Sequence, residues 1–192
     1  MSSRQLMRRP ERLESILVGA ATAFARTGFA ATSMEDIGAE AGVTKLMLYR
    51  HFAGKQEIYE AVLARVSERL VEAFRAAAGT NKPAAGLEAL LTVARSDPDG
   101  FVLLFRHAAR EPQFATYADG VLARVTSAAQ VWLSGHVSDR TVLRWTARVA
   151  VRTAIESVIA WLAVGEKERD VEFLKRAERG VAALVAAHTR SV

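Results

Sequence analysis

Residues 33–52, SMEDIGAEAGVTKLMLYRHF, decide how this chain folds, because they contain the signals for two short helices and the turn between them. Ser33, followed three residues later by Asp36, is typical of a capping box that begins a helix. Gly42 ends this helix after two turns, since glycine tolerates the left-handed backbone of a tight turn. Thr44 then begins a third helix, which we expect to reach the end of the stretch. Two short helices joined in this way predict a helix-turn-helix.

Apolar residues at steps of three and four continue on both sides of this stretch, and alternating strand patterns are scarce. We therefore predict an all-α chain of about nine helices. We divide it into a three-helix helix-turn-helix domain over residues 1–55 and a larger helical domain over residues 56–192. The predicted helices cover residues 10–27, 33–41, 45–52, 55–78, 84–95, 98–111, 114–136, 139–164 and 168–189.

The composition excludes several classes of functional site. The chain has 192 residues, of which 51% are hydrophobic, so it can bury a sizeable core. It contains no cysteine, which excludes disulfides, zinc–thiolate sites, iron–sulfur clusters and cysteine nucleophiles. No histidine pairs with another histidine or a carboxylate at a metal-ligand spacing, and no phosphate-binding, dinucleotide-binding or nucleophile-elbow motif is present. We therefore expect no metal, no cofactor and no enzyme activity.

The charge distribution and the start of the chain indicate where the protein acts. The net charge is +5, and residues 1–55 carry +3 of it, which suits a polyanionic partner. The basic start of the chain has no apolar segment before a cleavage site, and no apolar run is long enough to span a bilayer. We expect a cytoplasmic protein with no membrane partner.

Residues 13–63 resemble the DNA-binding domain of the tetracycline-repressor (TetR) family over about a quarter of the chain. The resemblance implies an N-terminal helix-turn-helix DNA-binding domain and a C-terminal helical domain for ligand binding and dimerisation. It also implies three partners: a double-stranded DNA operator, a small-molecule effector and a second copy of the chain in a homodimer. The positions that carry the resemblance are Phe24, Gly28, Thr32, Ser33, Ile37, Ala41, Gly42, Val43, Leu48, Tyr49, His51, Phe52 and Lys55.

The resemblance assigns DNA contacts to individual residues. Hydroxyls and N–H groups at a helix start contact phosphates in this family, in keeping with the general physics of helix termini. The expected phosphate contacts are Thr32, Ser33, Tyr49, His51 and Lys55. The expected base contacts on the third helix are Thr44, Lys45, Leu46, Met47 and Arg50. An N-terminal arm that reaches a neighbouring groove or phosphate is expected to contain Arg4, Arg8 and Arg9.

Four of these positions have an alternative interpretation. Leu46 and Met47 replace the small residues that the family often has, and apolar side chains there can contact thymine methyl groups. The alternative is that Met47 lies in the core and only Leu46 points outward. For Tyr49 the alternative is packing between helices, and for Lys55 it is a solvated surface lysine. The residues that we expect in the core rather than on DNA are Leu48 and Phe52.

The last two predicted helices carry apolar stripes that suit a dimer interface, since two such helices from each subunit form a four-helix bundle. The alternative is that the stripes belong to the core of one subunit. The predicted interface residues are Leu143, Ala147, Ala150, Ala154 and Val158 on one helix, and Val171, Leu174, Val181, Leu184 and Val185 on the other.

The middle helices carry bulky side chains that predict an effector pocket, because an apolar cavity with a few polar groups is the usual form of such a site. The alternative for each aromatic residue is plain core packing. The candidate lining residues are Leu91, Phe101, Leu104, Phe105, Phe114, Tyr117, Leu122, Trp132, Trp145 and Trp161, with His107 and Arg110 as polar anchors.

Taken together, the residues and the resemblance predict a sequence-specific DNA-binding transcriptional regulator, most simply a repressor that a small, largely apolar effector releases from its operator. One alternative is a DNA-binding regulator with no small-molecule effector. Another is a helical ligand-binding protein whose DNA binding is vestigial.

Overall fold

The computed structural model describes residues 9–78, 84–135 and 137–189, and these ranges contain helices and no strand. This confirms the predicted all-helical fold of nine α-helices. In chain order they are α1 (Arg9–Ala31), α2 (Met34–Ala41), α3 (Lys45–Tyr49), α4 (Lys55–Ala78), α5 (Ala85–Ser96), α6 (Pro98–Val102), α7 (Ala115–Leu133), α8 (Arg140–Val164) and α9 (Asp170–Thr189). The shorter segments are a π-helical turn (Leu103–His107) and two 3₁₀ turns (Ala108–Arg110 and Lys167–Arg169).

Several helix boundaries differ from the prediction, including the end of α7, which lies at Leu133 and not at residue 136. α1 runs on to Ala31, but Gly28 interrupts it with a left-handed φ of 78°, so glycine breaks the helix as expected and one more turn follows. α3 ends at Tyr49, three residues early. The segment predicted as one helix over 98–111 is divided into α6, the π-helical turn and a 3₁₀ turn. A π-helical turn is costly in isolation, and here tertiary packing holds it, because Leu103 and Leu104 are fully buried.

The first three helices share one core with the first half of α4. Phe24 on α1, Ile37 on α2 and Leu48 on α3 are fully buried, and Ile58 and Val62 on α4 belong to the same cluster. α4 therefore positions the helix-turn-helix, and its second half packs on α5 and α7. Because α4 contributes to both parts, the division at residue 55 stays a prediction.

An aromatic cluster, formed by Phe24, Phe29, Tyr59 and Phe114, joins the helix-turn-helix unit to the rest of the chain. Phe114, the residue before α7, stacks on Tyr59 at 4.1 Å between ring centroids and meets Phe29 edge-on at 4.9 Å. Phe24 and Tyr59 form another edge-on pair at 4.9 Å. Burial raises the pKa of the Tyr59 hydroxyl, which has no hydrogen-bond partner among the described residues. Any displacement of the start of α7 must therefore disturb the core beneath the helix-turn-helix.

An arginine cluster, formed by Glu14, Arg65, Arg69 and Asp97, makes a second connection. Arg65 on α4 is 8% exposed and donates to Glu14 Oε1 on α1 at 2.9 Å and to Asp97 Oδ2 at 2.6 Å. Arg69 donates to the same Glu14 oxygen at 2.5 Å. Asp97 also begins α6 by accepting the Gly100 N–H at 3.1 Å. Buried charges are tolerated only when paired, so these groups fix α1, α4 and α6 relative to one another.

A third polar cluster attaches α9 to α5. Arg95 on α5 donates to Asp170 Oδ1 at 2.7 Å, and the Trp161 indole donates to the same oxygen at 2.7 Å. The hydrogen bond from Arg95 holds the pKa of the Asp170 carboxyl below its usual range, against a smaller opposing effect of burial. Trp161 also stacks on Phe173 at 5.0 Å. These contacts place α8 and α9 on one side of the bundle.

Across residues 9–78, 84–135 and 137–189, we find no helix with the length and apolar character that crossing a lipid bilayer demands.

Candidate nucleic-acid interface

The turn between α2 and α3 is built by local hydrogen bonds. Ser33 Oγ accepts the Asp36 N–H at 3.1 Å, and the Asp36 carboxylate accepts the Ser33 N–H at 2.8 Å, which is the predicted capping box. Gly42 has a left-handed φ of 66°, so a side chain there would be strained. Thr44 Oγ1 accepts the Met47 N–H at 3.3 Å and begins α3. The turn therefore fixes the direction in which α3 leaves α2.

α3 places one side in the core and the other on the surface. Leu48 is fully buried, whereas Leu46 is 66% exposed and Tyr49 is 49% exposed. Lys45 and Arg50 are exposed as well, and Met47 is half-buried. Leu46 thus points outward in both sequence interpretations, and Met47 lies at the edge of the core. A short helix with this exposed face has the geometry that insertion into a major groove requires.

An acidic residue on α2 orders the one lysine of α3. Lys45 Nζ donates to Glu35 Oε1 at 2.6 Å and lies 5.9 Å from the Tyr49 ring centroid. The hydrogen bond from Lys45 lowers the pKa of the Glu35 carboxyl, and the same bond raises the pKa of Lys45. Both groups are exposed, so the pair contributes little to stability, but it holds the ammonium group beside the face of α3.

Two of the predicted phosphate contacts have side chains that form hydrogen bonds within the chain. Thr32 is 1% exposed, and its hydroxyl donates to Gly28 O at 2.6 Å and lies 2.8 Å from Thr27 Oγ1. Its side chain therefore completes the end of α1 and does not reach the surface.

Lys55, the second of these residues, is not a solvated lysine, and its phosphate contact stays a prediction. Its Nζ donates to Phe29 O at 2.8 Å and to Ala30 O and Thr32 O at 3.0 Å each, so all three ammonium protons are used. It also lies 4.8 Å from the Phe29 ring centroid. The last carbonyls of a helix lack hydrogen-bond donors within the helix, and at the end of α1 the Lys55 ammonium group provides those donors. The sequence signal for this role is a lysine at the first position of α4, which only the packing of α4 on α1 makes specific.

The remaining DNA contacts stay predictions as well. Ser33 is half-buried and its hydroxyl is engaged in the capping box, and at the start of α2 Met34 is buried while Glu35 is exposed. His51 is half-buried beside Phe52. In the predicted N-terminal arm, Arg4, Arg8 and the side chain of Arg9 lie outside the described residues.

A groove between α4 and α7 is the concave site of the second part of the chain. It consists of two adjoining cavities of about 280 and 460 Å³, within the usual range for small-molecule sites. The first is lined by Leu70, Val71 and Phe74 of α4 and by Val121 and Val125 of α7, among others. The second adds Ala64, Ser67, Thr116, Tyr117 and Gly120.

Among the described residues, Tyr117 is the one of the twelve candidates that lines this groove. Leu91, Phe101 and Leu104 are buried in the core, which favours the packing alternative for them. Trp132 and Trp145 are exposed, and Trp145 stacks on His188 at 3.8 Å. The other candidates that do not line it are Phe105, His107, Arg110, Phe114, Leu122 and Trp161.

The groove was not predicted from the sequence because most of its lining is not aromatic: among the described residues, Phe74 and Tyr117 are its aromatic side chains. Other aromatic candidates pack into the core, Phe114 in the aromatic cluster and Trp161 against Phe173. Gly120, at the middle of α7, was the available signal, because a glycine inside a helix leaves space beside its neighbour.

The predicted dimer stripes divide between core and surface. Ala147, Ala150 and Val158 are buried inside a single protomer, which favours the core alternative for these three. Val171 is exposed, and the large apolar residues exposed on α8 are Trp145 and Val164. The half-buried residues for which the interface stays a prediction are Leu143, Ala154, Leu174, Val181, Leu184 and Val185.

The helix-turn-helix matches a known family. A family model described as bacterial regulatory proteins of the TetR family matches residues 16–62, which run from the buried side of α1 through α2, α3 and the first turns of α4. The helix-turn-helix part of the chain is therefore similar to that of the TetR family. This is a non-enzymatic family of transcriptional regulators, and the resemblance seen in the sequence is confirmed.

A curated relative extends this finding. The HTH-type transcriptional activator FasR of Mycolicibacterium smegmatis is 36% identical over 113 residues, which is 56% of this chain and 52% of that protein. The chain thus matches about half the length of this curated relative.

Solved TetR-like structures share the whole fold. A regulator from Rhodococcus sp. RHA1 has a TM-score of 0.78 at 24% identity, covering 93% of this chain and 96% of that one. The ketosteroid regulator KstR2 of Mycobacterium tuberculosis has a TM-score of 0.73 at 20% identity, covering 96% and 97%. At these identities the likeness shows the fold alone.

Proposed function

We propose that this chain binds an operator as a two-fold dimer and regulates transcription from it. The observation that supports this proposal is the outer face of α3. Leu46, Tyr49 and the following residue, Arg50, are exposed, while Leu48 anchors the helix in the core. Two such helices in a dimer would enter successive major grooves about 34–36 Å apart. The exposed lysine and arginine side chains supply the salt-sensitive part of the affinity.

We further propose that the regulator is a repressor that a small, largely apolar effector releases. The groove between α4 and α7 supports this, because both helices also meet in the aromatic cluster beneath the helix-turn-helix. An effector that separates the two helices would displace Phe114 from Tyr59 and so disturb the position of α3. Such coupling between sites typically amounts to about 1–3 kcal/mol. KstR2 is described as a ketosteroid transcriptional regulator, and ketosteroids are compounds of the same apolar kind.

The DNA-binding proposal is tested by selection of bound genomic fragments, followed by gel-shift titration of the enriched fragments at several salt concentrations. We expect an enriched near-palindromic sequence, bound by two protomers, and a loss of affinity in Arg50→Gln. Arg106→Gln is the matched control, since Arg106 is an exposed arginine paired with Glu156 far from α3. Failure to retard any fragment at low salt would overturn the proposal.

A second candidate is transcriptional activation, which the FasR relative favours because its name describes an activator. Repression and activation are distinguished by a reporter gene placed behind the selected operator, with and without the regulator. Expression that falls on adding the protein supports repression, and expression that rises supports activation.

A further inference from the structure

The groove between α4 and α7 has an unequal distribution of charge. The cavity of about 280 Å³ is apolar along its wall, which consists of Leu70, Val71, Phe74, Val121, Val125 and Ala128. Two further residues complete the lining, and both are arginines: Arg75 from α4 and Arg124 from α7. None of the described residues that line this cavity is acidic. The groove therefore presents an apolar slot with two cations at its edge.

These two arginines differ from the others on α4. Arg65 and Arg69 are engaged with Glu14 and Asp97, whereas in the described part of the chain Arg75 forms no ion pair. Arg124 forms none with the described residues either, although Glu68 lines the adjoining cavity on the other side of it. Both guanidinium groups are solvent-exposed and free to meet an anion.

The direction of the helices separates the head of a ligand from its tail. Ala64 of α4 faces the turn of α7 that contains Thr116, while Arg75 lies in the cavity that reaches Ala128. The two helices thus run in the same direction along the groove, with the aromatic cluster near their common start and Arg75 toward the far end. A ligand anchored at the far end would extend its chain toward Tyr117.

From this arrangement we propose that the effector groove takes an amphiphile with one apolar chain and an anionic head, a carboxylate or a phosphate. The head lies between Arg75 and Arg124, because guanidinium groups bind both anions in a bidentate geometry. The chain lies along the valine and leucine wall, where burial of apolar surface favours it. The proposal deepens the proposed function: it rests on this groove being the effector site and replaces a neutral apolar effector by an anionic one.

The test measures calorimetric binding of dodecanoate, dodecyl phosphate and dodecanol to the full chain, all below their aggregation concentrations. We expect at least one of the two anions to bind about tenfold more tightly than dodecanol, since a hydrogen bond to a charged group is worth about 1.5–3 kcal/mol. The stronger of the two anions identifies the head group. Equal affinity for dodecanol and both anions would overturn the proposal.

Variants show whether the groove itself is responsible. Arg75→Gln and Arg124→Gln should each remove most of the preference for the anion and leave dodecanol binding unchanged. Arg110→Gln is the matched control, because Arg110 is exposed and lines neither cavity. Ala128→Trp fills the slot from its exposed edge and should abolish binding of all three compounds. Retained anion preference in both groove variants contradicts the assignment, even if every variant folds.

Measuring operator affinity with the same protein distinguishes failure of the ligand proposal from failure of the proposed function on which it rests. Anion binding that leaves operator affinity unchanged supports the ligand class and contradicts the effector role. Operator binding with no response to any amphiphile in calorimetry supports DNA binding and contradicts the ligand class.

Discussion

The inner and outer sides of the helix-turn-helix unit differ in what their side chains contact. On the inner side, Phe114 stacks in the aromatic cluster and Asp97 is paired with Arg65, and both residues are almost fully buried. On the outer side, Leu46 and Arg50 contact solvent. The inner side therefore carries stability and the outer side carries recognition, although both belong to the same few helices.

The substitution with the largest expected effect on the inner side is Asp97→Ala. It leaves the buried Arg65 guanidinium with only the half-exposed Glu14 carboxylate of its two partners and removes the side chain that begins α6. We expect a loss of about 3–5 kcal/mol in the free energy of unfolding, measured by urea denaturation. Asp97→Asn keeps an acceptor for the Gly100 N–H and should lose less.

A double variant sharpens this prediction. Arg65→Met combined with Asp97→Leu removes both charges and should recover much of the loss, because apolar residues of similar size replace a buried ion pair at little cost. A double variant no more stable than Asp97→Ala would show that charge pairing is not what holds α1, α4 and α6 together.

Phe114→Ala has the next largest expected effect on stability. It removes the ring that stacks on Tyr59 and meets Phe29 edge-on in the aromatic cluster. We expect a loss of about 3 kcal/mol in unfolding free energy, and a loss below about 1.5 kcal/mol for Phe114→Leu, which keeps most of the volume. If Phe114 couples the groove to α3, the response of operator affinity to effector falls in Phe114→Leu while effector affinity is retained.

Lys55→Met distinguishes the inner from the outer side directly. It removes the ammonium group that donates to three carbonyls at the end of α1 and keeps the aliphatic stem against the Phe29 ring. We expect a loss of about 2 kcal/mol in unfolding free energy. The slope of log affinity for DNA against log salt should be unchanged, whereas a lysine bound to phosphate contributes about one unit to it. A slope reduced by one unit would show that Lys55 contacts a DNA phosphate and therefore belongs to the outer side.

Two outer-face substitutions have the smallest expected effect on stability. Tyr49→Ala and Arg50→Ala should change the unfolding free energy by no more than about 0.5 kcal/mol. Tyr49→Ala should weaken binding to all operators similarly, and Arg50→Ala should alter sequence preference, as measured by titration against an operator series. The reverse pattern would exchange the phosphate and base roles of the two residues.

Local hydrogen bonding explains why the helix-turn-helix could be predicted closely. The Ser33 capping box, the left-handed Gly42 and the Thr44 cap each involve groups within four residues of one another. Leu46 and Leu48 differ by two positions on one helix, so the same periodicity places one outside and the other inside. Such signals are complete before any distant part of the chain is considered.

Contacts between distant residues explain what could not be predicted. Lys55 matches the family position for a phosphate contact, but its partners are 23 to 26 residues earlier in the chain. Ala147 and Val158 lie on an apolar stripe that suits a partner subunit and the protomer core equally well, and here the core takes them. The groove lining depends on how α7 lies along α4, which no local pattern records.

The sequence by itself determined the nine helices, the turn at Gly42 and the outward direction of Leu46, because these depend on backbone capping and on helical periodicity. Only the tertiary structure decided that Thr32 and Lys55 complete the end of α1, that Phe114 joins the two parts of the chain, and that Arg75 and Arg124 flank one apolar groove. The physical reason is that a side chain's partner is chosen by how helices pack. That choice depends on the summed burial and pairing of residues far apart in the sequence.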